Sequence, residues 1–431
     1  MLNISHMIAL SISSGTIIAA SIAIFLLVIL LLVALLLVAK AKLTPQGQVT
    51  IHINDDKQLQ VEPGSSLLAT LSNNGIFLPS ACGGGGSCGM CKCQVPEGAG
   101  SILPTEVNFF TRKQQAQHWR LGCQVKVRND LKIAIPESIL GIKKMECEVV
   151  SNRNVSTFIK EFVVKLPEGQ QLNFRNGGYI QIDIPAYDLS YSDIEVDELY
   201  RADWEQMRMF DLKASNPEPT FRAYSMANHP AEGNIIMLNV RIATPPFDRA
   251  KGAFMDVPPG ISSSYIFTRK PGDKVTISGP YGEFFIPENA PADQEFIFVG
   301  GGAGMAPLRS HIMHLFKTER TQRNVRFFYG ARSLKEAFYL EDFAEIEREF
   351  PNFHFHLALD RPDPEADAVG AAYTVGFVHN VMHETYLKQH KAPEDALYLM
   401  CGPPMMVSSV NQLLDSLGVE PSSILYDNFG G

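Results

Sequence analysis

The first 39 residues of this 431-residue chain contain no Lys, Arg, Asp or Glu. All 37 basic and 46 acidic side chains lie beyond Ala39, and nowhere do five basic residues run together. A formal net charge of −9 without a basic run excludes the electrostatic footprint of a nucleic-acid partner. Cysteine is sparse as well: there are seven, and four of them crowd between positions 82 and 93. That crowding excludes an extracellular disulfide scaffold, which spreads its cysteines along a small domain. A hydrophobic share of 45% against 19% charged residues excludes wholesale disorder.

What the opening contains is an apolar run. Ile17 to Ala39 reads IIAASIAIFLLVILLLVALLLVA, with no charge, Pro or Gly. As a helix it spans about 35 Å, enough for a hydrocarbon core of about 30 Å. A cleaved signal peptide fits less well, because no basic residue precedes the run and the run is too long. A buried core helix would need more surrounding protein than the start of a chain finds. Residues 1–41 are therefore expected to be a transmembrane anchor. Lys40 and Lys42 follow the run, so the rest of the chain is expected on the cytoplasmic side of the membrane.

The crowded cysteines read Cys82-GGGGS-Cys88-GM-Cys91-K-Cys93, and Cys123 follows 32 positions after Cys91. A zinc knuckle wants two separated C-x2-C pairs or histidines, and only one such pair is present. A glycine loop carrying thiolates, with a further cysteine from a distant strand, suits a 2Fe–2S cluster. Around it, Val49–Ile53 and Leu59–Val61 are expected to form a hairpin. Ser66–Asn74 and Thr105–Gln117 read as helices and Leu131–Ile135 as a closing strand. This order resembles the β-grasp ferredoxins. The C-x5-C-x2-C spacing is one residue longer than the plant-type run and similar to the vertebrate type. The resemblance implies Cys82, Cys88, Cys91 and Cys123 as metal ligands. Cys93 is the spare and reads as a small buried residue under the loop in preference to a ligand.

Beyond Pro136 the texture changes to short strands, Cys147–Val150, Thr157–Leu166 and Tyr179–Ile184, which suggest a small antiparallel barrel. Arg222-Ala-Tyr224-Ser225 lies within it. On a strand Arg222 and Tyr224 point one way and Ser225 the other. An Arg for phosphate, a Tyr for stacking and a Ser for a ring edge suit a flat ligand with a charged tail, although so short a motif also arises by chance. Gly260-Ile-Ser-Ser263-Ser264 offers a glycine-led turn at a helix start, a place for a pyrophosphate. Pro287-ENAPADQ reads as a linker.

From Glu295 strands and helices alternate. Glu295–Val299 leads into Gly300-Gly-Gly-Ala-Gly304-Met-Ala-Pro307 and an amphipathic stretch, Leu308–Phe316. Strand, glycine loop and helix form a phosphate-binding unit in physical terms, but Met305 breaks the G-x-G-x-x-G fingerprint. Further strands are expected at Val325–Tyr329, Phe353–Ala358 and Leu397–Met400. The last runs into Cys401-Gly-Pro-Pro404, so two glycine turns share one edge of a parallel α/β sheet.

Taken together, RAYS, GISSS, GGGAGMAP, YGAR (Tyr329–Arg332) and CGPP resemble the flavin and nicotinamide motifs of the ferredoxin–NADP reductase superfamily. With a ferredoxin in front, one anchoring helix and a Phe429-Gly-Gly431 end, the order is similar to the electron-input members of the Na⁺-translocating NADH:quinone oxidoreductase family. That resemblance implies FAD, a 2Fe–2S cluster and NADH as electron donor. It also implies partner subunits in a membrane respiratory complex that reduces ubiquinone and exports Na⁺. By the same match Arg222 holds the FAD pyrophosphate, Tyr224 and Ser225 lie against the isoalloxazine and ribityl, and Gly260, Ser263 and Ser264 hold phosphates. Gly301, Gly302 and Gly304 face the NADH pyrophosphate, while Cys401 and Gly402 border the nicotinamide. Phe429 covers the outer flavin face. Tyr224, Ser225 and Cys401 are the expected catalytic set.

The expected division is an anchor at 1–41, a ferredoxin domain at 42–137, an FAD barrel at 138–289 and an NADH domain at 290–431. An acidic insertion, 188–211, carries eight acids and two arginines, with one helix expected near Glu198–Phe210. It reads either as a solvated excursion or as a docking surface for partners. Arg332 and Lys335 are candidate contacts for a 2′-phosphate, which leaves NADH against NADPH open. Two rivals are a soluble oxygenase reductase, opposed by the apolar helix, and an anchored redox sensor, opposed by the paired flavin and nucleotide motifs.

Overall fold

The computed structural model describes residues 3–43, 47–248 and 250–427. The N-terminal helix runs Asn3–Leu43, and Gly15–Val38 within it has a mean hydropathy of 3.5 with no residue buried. Among the described residues it is the one helix long and apolar enough to cross a membrane. The chain divides into two compact units. One is Met1–Leu78 with Cys91–Pro136, and the other is Pro79–Met90 with Glu137–Gly431.

The first unit is built on a five-stranded sheet of β1 (Val49–Ile53), β2 (Lys57–Val61), β3 (Lys92–Glu97), β4 (Trp119–Leu121) and β5 (Leu131–Ala134), in the order β2-β1-β5-β3-β4. Strict alternation in β1 turns Val49, Ile51 and Ile53 inward. The helix Leu67–Asn73 starts at Ser66, whose Oγ accepts from Ala69 N at 3.2 Å, and it buries Leu67, Leu68 and Leu71 on the sheet. The expected helix Thr105–Gln117 is broken. Only a turn at Val107–Phe109 and a short helix at Arg112–Ala116 form, with buried Phe110 extended between them. The break has two local causes. Thr111 starts the short helix with its own capping box to Gln114. Just upstream Glu106 turns inward, accepting from Leu103 N and Leu121 N and from Arg120 Nη2 at 2.7 Å.

In the larger unit, six antiparallel strands form the next sheet: β6 (Lys143–Ser156), β7 (Ile159–Lys165), β8 (Tyr179–Ile184), β11 (Thr220–Ser225), β12 (Ile235–Arg241) and β15 (Lys274–Tyr281). Their order is β11-β8-β15-β6-β7-β12, and a bridge Met226↔Leu238 brings the two edge strands together in the manner of a barrel. The strand expected from Thr157 begins two residues later, because Thr157 and Phe158 turn the hairpin between β6 and β7. A small hairpin, β13 (Phe247–Asp248) with β14 (Ala253–Phe254), lies outside this sheet.

The acidic insertion departs from the solvated excursion. It carries a two-stranded ribbon, β9 (Tyr187–Ser190) with β10 (Lys213–Asn216), and a helix that stops at Gln206. Tyr191, Ile194, Val196, Tyr200, Trp204 and Met209 all enter the barrel core. The acids face water while the apolar residues between them pack inward, a segregation that composition alone hides.

The last sheet is wholly parallel. Its strands are β16 (Phe296–Gly301), β17 (Val325–Ala331), β18 (Phe353–Leu359), β19 (Thr374–Val375), β20 (Leu397–Cys401) and β21 (Ile424–Asp427). They are ordered β19-β18-β17-β16-β20-β21. The helix after β16, Met305–Met313, is buried on every residue and so is not the amphipathic stretch expected from Leu308. It is sandwiched between this sheet and the barrel, which removes any solvent face: Arg309 Nη1 donates to Ala227 O and Ser310 Oγ to Asn228 O.

Candidate flavin, nucleotide and cluster sites

In the parallel sheet the chain steps from β16 through β17 and β18 to β19 in one direction, then returns to place β20 and β21 on the other side. The switch point lies between β16 and β20, where Gly300 and Cys401 are register partners. Ligands in such folds bind outside the carboxyl ends of the strands at this point. Both glycine turns meet there. A Cβ on Gly304 would overlap the carbonyl of Cys401, and one on Gly402 would come within 3.1 Å of Gly301 N. Gly302 has φ +56, a left-handed conformation that suits glycine. Main chain therefore walls the crevice, and Tyr329 beneath it donates its hydroxyl to Gly302 O at 3.3 Å.

The end of β11 reaches the same crevice. Ser225 donates to Asp427 Oδ2 at 2.7 Å, and the Cys401 thiol points to Asp427 O at 3.6 Å. Two of the expected residues, Ser225 and Cys401, are thus joined through Asp427, which the sequence reading missed. No local signal marks it, because its partners lie 26 and 202 residues away in the chain. Phe429 itself lies outside the described residues. Burial raises the Cys401 thiol well above its ordinary value, which keeps it neutral.

On the barrel side, Tyr224 donates to Ser262 Oγ at 2.9 Å, and burial pushes its phenol up to about 12. Ser262 is the second residue the sequence reading passed over. Arg222 lies back along its strand, with Nη1 donating to Thr220 Oγ1 at 3.0 Å and Phe221 O at 2.8 Å. The helix Ile261–Phe267 starts at Gly260, where a Cβ would stand 2.6 Å from Ala243 Cβ. The hydroxyls expected to hold phosphate are engaged within the fold. Ser263 accepts from Ala243 N at 3.0 Å, and Ser264 donates to Gly260 O at 2.6 Å while receiving Tyr191 from the insertion at 2.8 Å. The first backbone amides of a helix have no intrahelical carbonyl to bond, so this helix start can offer them to an anion.

The cysteines fall into two pairs, one in each unit. Cys88 donates to Cys82 with the sulfurs 3.3 Å apart, an interaction that lowers the Cys82 thiol below its ordinary value. In the other unit the Cys123 amide donates to Cys91 Sγ at 3.5 Å. None of the seven cysteines is in a disulfide, and no third metal-ligating side chain joins either pair among the described residues. Each pair presents two thiols of the kind that ligate a 2Fe–2S cluster. Cys93 is fully buried in β3. The loop 79–90 packs within its own unit on β11: a Cβ on Gly83 would stand 2.7 Å from Phe221 O and 2.9 Å from Thr220 Oγ1.

These features define an iron–sulfur flavoprotein of the ferredoxin-reductase type. Three domain families match along the chain: 2Fe-2S iron-sulfur cluster binding domain at 51–128, oxidoreductase FAD-binding domain at 206–286 and oxidoreductase NAD-binding domain at 298–412. Among solved structures, the Amycolatopsis cytochrome P450 reductase GcoB shares the fold, with a TM-score of 0.60 at 22% identity over 88% of this chain and 98% of that one. A ferredoxin reductase in carbazole 1,9a-dioxygenase shares it at TM-score 0.56 and 22% identity, over 89% and 98%. Two relatives are each named as the F subunit of Na(+)-translocating NADH-quinone reductase. The Klebsiella pneumoniae protein is 53% identical over 395 residues, 91% of this chain and 94% of its own. The Psychrobacter arcticus protein is 51% identical over 412 residues, 95% and 98%. The chain belongs to this F-subunit family of the Na⁺-translocating NADH-quinone reductases.

Proposed function

We propose that this chain is the electron-input subunit of a membrane quinone reductase. It takes a hydride from NADH on FAD and passes single electrons through a 2Fe–2S cluster to partner subunits, which reduce ubiquinone and export Na⁺. The helix over 15–38 anchors it in a bacterial inner membrane with the redox domains in the cytoplasm. The observation that carries this reading is the convergence of Ser225, Asp427 and Cys401 at the switch point of the parallel sheet. A bound flavin accepts an electron pair and releases it singly, which matches a two-electron donor to a one-electron cluster.

In this reading the chain's residues orient and shield. Cys82 with Cys88 and Cys91 with Cys123 hold the cluster. Arg222 turns from Phe221 O and Thr220 Oγ1 to the FAD pyrophosphate, helped by the amides after Gly260 and steadied by Ser263 and Ser264. Tyr224, fixed by Ser262, lies against the flavin. The main chain at Gly301, Gly302 and Gly304 faces the NADH pyrophosphate, and Cys401 and Gly402 border the nicotinamide. Phe429 covers the outer flavin face. Asp427 accepts the Ser225 proton and so sets the direction of that hydroxyl, leaving the Ser225 oxygen aimed into the crevice. The supporting geometry is the single 2.7 Å bond between them.

Ser225→Ala tests the reading. Flavin content is expected to stay at the wild-type level, while the single-turnover rate of flavin reduction by NADH falls about a hundredfold, the scale of a lost positioning group. An unchanged rate would remove Ser225 from the site. Anaerobic titration of the wild-type protein with NADH should bleach both flavin and cluster, and failure of either to respond would overturn the electron path.

A further inference from the structure

The acidic insertion packs into the barrel core and also touches the parallel-sheet domain. Its helix Glu198–Gln206 reaches the loop that follows β17, the second strand of the parallel sheet. In doubly wound folds that loop reads the adenosine ribose and distinguishes a 2′-hydroxyl from a 2′-phosphate. Its cations here are Arg332 and Lys335. Arg332 is exposed, and Arg241 on β12 stands close enough to feel its charge and that of Glu336. Lys335 is spoken for. Its ammonium donates to Asp203 Oδ2 at 2.5 Å and lies 5.4 Å from the ring of Tyr200, both on the insertion helix.

The position of Asp203 is fixed rather than incidental. The next residue, Trp204, is fully buried and donates its indole N–H to Thr157 O at 2.7 Å. Thr157 also holds the loop from the other side, since its amide donates to Glu336 Oε2 at 3.3 Å and its hydroxyl to Glu336 Oε1. The Thr157 hydroxyl lies 3.5 Å from Asp203 Oδ2 as well. Insertion helix, hairpin turn and nucleotide loop are therefore closed on one another. Lys335, four residues past the strand end, is drawn to the insertion and away from solvent, with 23% of its side chain exposed.

We propose that Asp203 is a specificity-determining residue that holds Lys335 away from the adenosine ribose and so disfavours nucleotides carrying a 2′-phosphate. This rests on the nicotinamide-oxidising role proposed above. The physical logic is a difference of affinities. Asp203 removes one attraction, because the paired charges offset and offer a dianionic phosphate no net pull. A 2′-hydroxyl is indifferent to the charge of the pair.

The test uses the full-length protein loaded with flavin and cluster, with NADH and NADPH compared as reductants of the flavin and NAD⁺ and NADP⁺ compared in equilibrium binding. Asp203→Asn should raise the kcat/KM ratio of NADPH to NADH about tenfold at low ionic strength. NADP⁺ binding should tighten to match, and both gains should shrink in salt. Adding Lys335→Gln to Asp203→Asn should cancel the gain. Lys335→Gln alone should leave the ratio at its wild-type value, and this arm stands even if Asp203→Asn fails to fold. An unchanged ratio in Asp203→Asn, a gain that survives in the double variant, or a loss of NADPH use in Lys335→Gln alone would each overturn the proposal. Failure of the underlying reading looks different: neither nucleotide would then reduce the wild-type flavin.

Discussion

Two helices begin at glycine turns in the larger unit, and they are held in opposite ways. The helix Ile261–Phe267 is fastened by side chains at both ends. Tyr187 donates to Ile261 O at 2.5 Å, Tyr191 reaches Ser264 at 2.8 Å, and Lys160 donates to Phe267 O at 3.3 Å and to Glu195 O at 2.6 Å. The helix Met305–Met313 has no side-chain cap at its start, where close main-chain contact seats it, and its side-chain bonds come later, among them those of Arg309 and Ser310. A turn fastened by side chains yields gradually to substitution. A turn fastened by backbone contact has no such latitude, because a carbonyl cannot rotate away as a side chain can.

The largest effect expected from this contrast belongs to Gly304→Ala. Its methyl would overlap the Cys401 carbonyl, separating the two turns at the switch point. Flavin reduction by NADH should fall at least a hundredfold with FAD still bound, with a stability loss of about 1–3 kcal/mol. Wild-type rates measured by single turnover would refute backbone contact as the fastening. Ser264→Ala should act less sharply. It leaves the buried Tyr191 hydroxyl without its partner, at a cost of about 1–3 kcal/mol, and weakens FAD affinity several-fold. Restoring stability with Tyr191→Phe in the same chain would show that the unpaired hydroxyl is the cause.

The smallest effect is a pH signature. Burial lowers the Lys160 ammonium to about 8. Its unfolded value is about 10.4. Below the folded value the lysine is charged in both states, and the folded state bears the full desolvation cost. Between the two values the unfolded chain binds more protons, so this residue makes stability rise with pH from about 8 to about 10. Denaturation midpoints across that range should climb more steeply in the wild type than in Lys160→Met. Equal slopes would mean that Lys160 is not a buried charge at the helix end.

Much of this architecture is legible in residue order. The glycine turns, the strand runs beside them and the thiol spacing each report local geometry that one residue type satisfies better than others. Other features depend on partners far away in sequence. Ser263 and Ser264 read as phosphate ligands because their hydroxyls stand at a helix start, yet Ala243 and Tyr191 take those bonds. Asp427 carries no local signal until β21 places it beside Cys401. The insertion reads as solvated because eight acids are spread along it, whereas Trp204 and Tyr191 decide where it packs. The helix Thr105–Gln117 fails for the same reason, since Glu106 is drawn inward by Arg120, fourteen residues away. Pattern reports the face a segment presents, and long-range bonds decide what meets that face.

The order of electron arrival tests the central claim most directly. Full-length protein carrying FAD and the cluster is mixed anaerobically with NADH, and the flavin and cluster absorbance bands are followed separately in a stopped-flow instrument. The account predicts that the flavin band bleaches first and the cluster band follows with a lag set by the flavin. Cluster bleaching that precedes flavin reduction, or that persists at full rate in protein stripped of FAD, would contradict it.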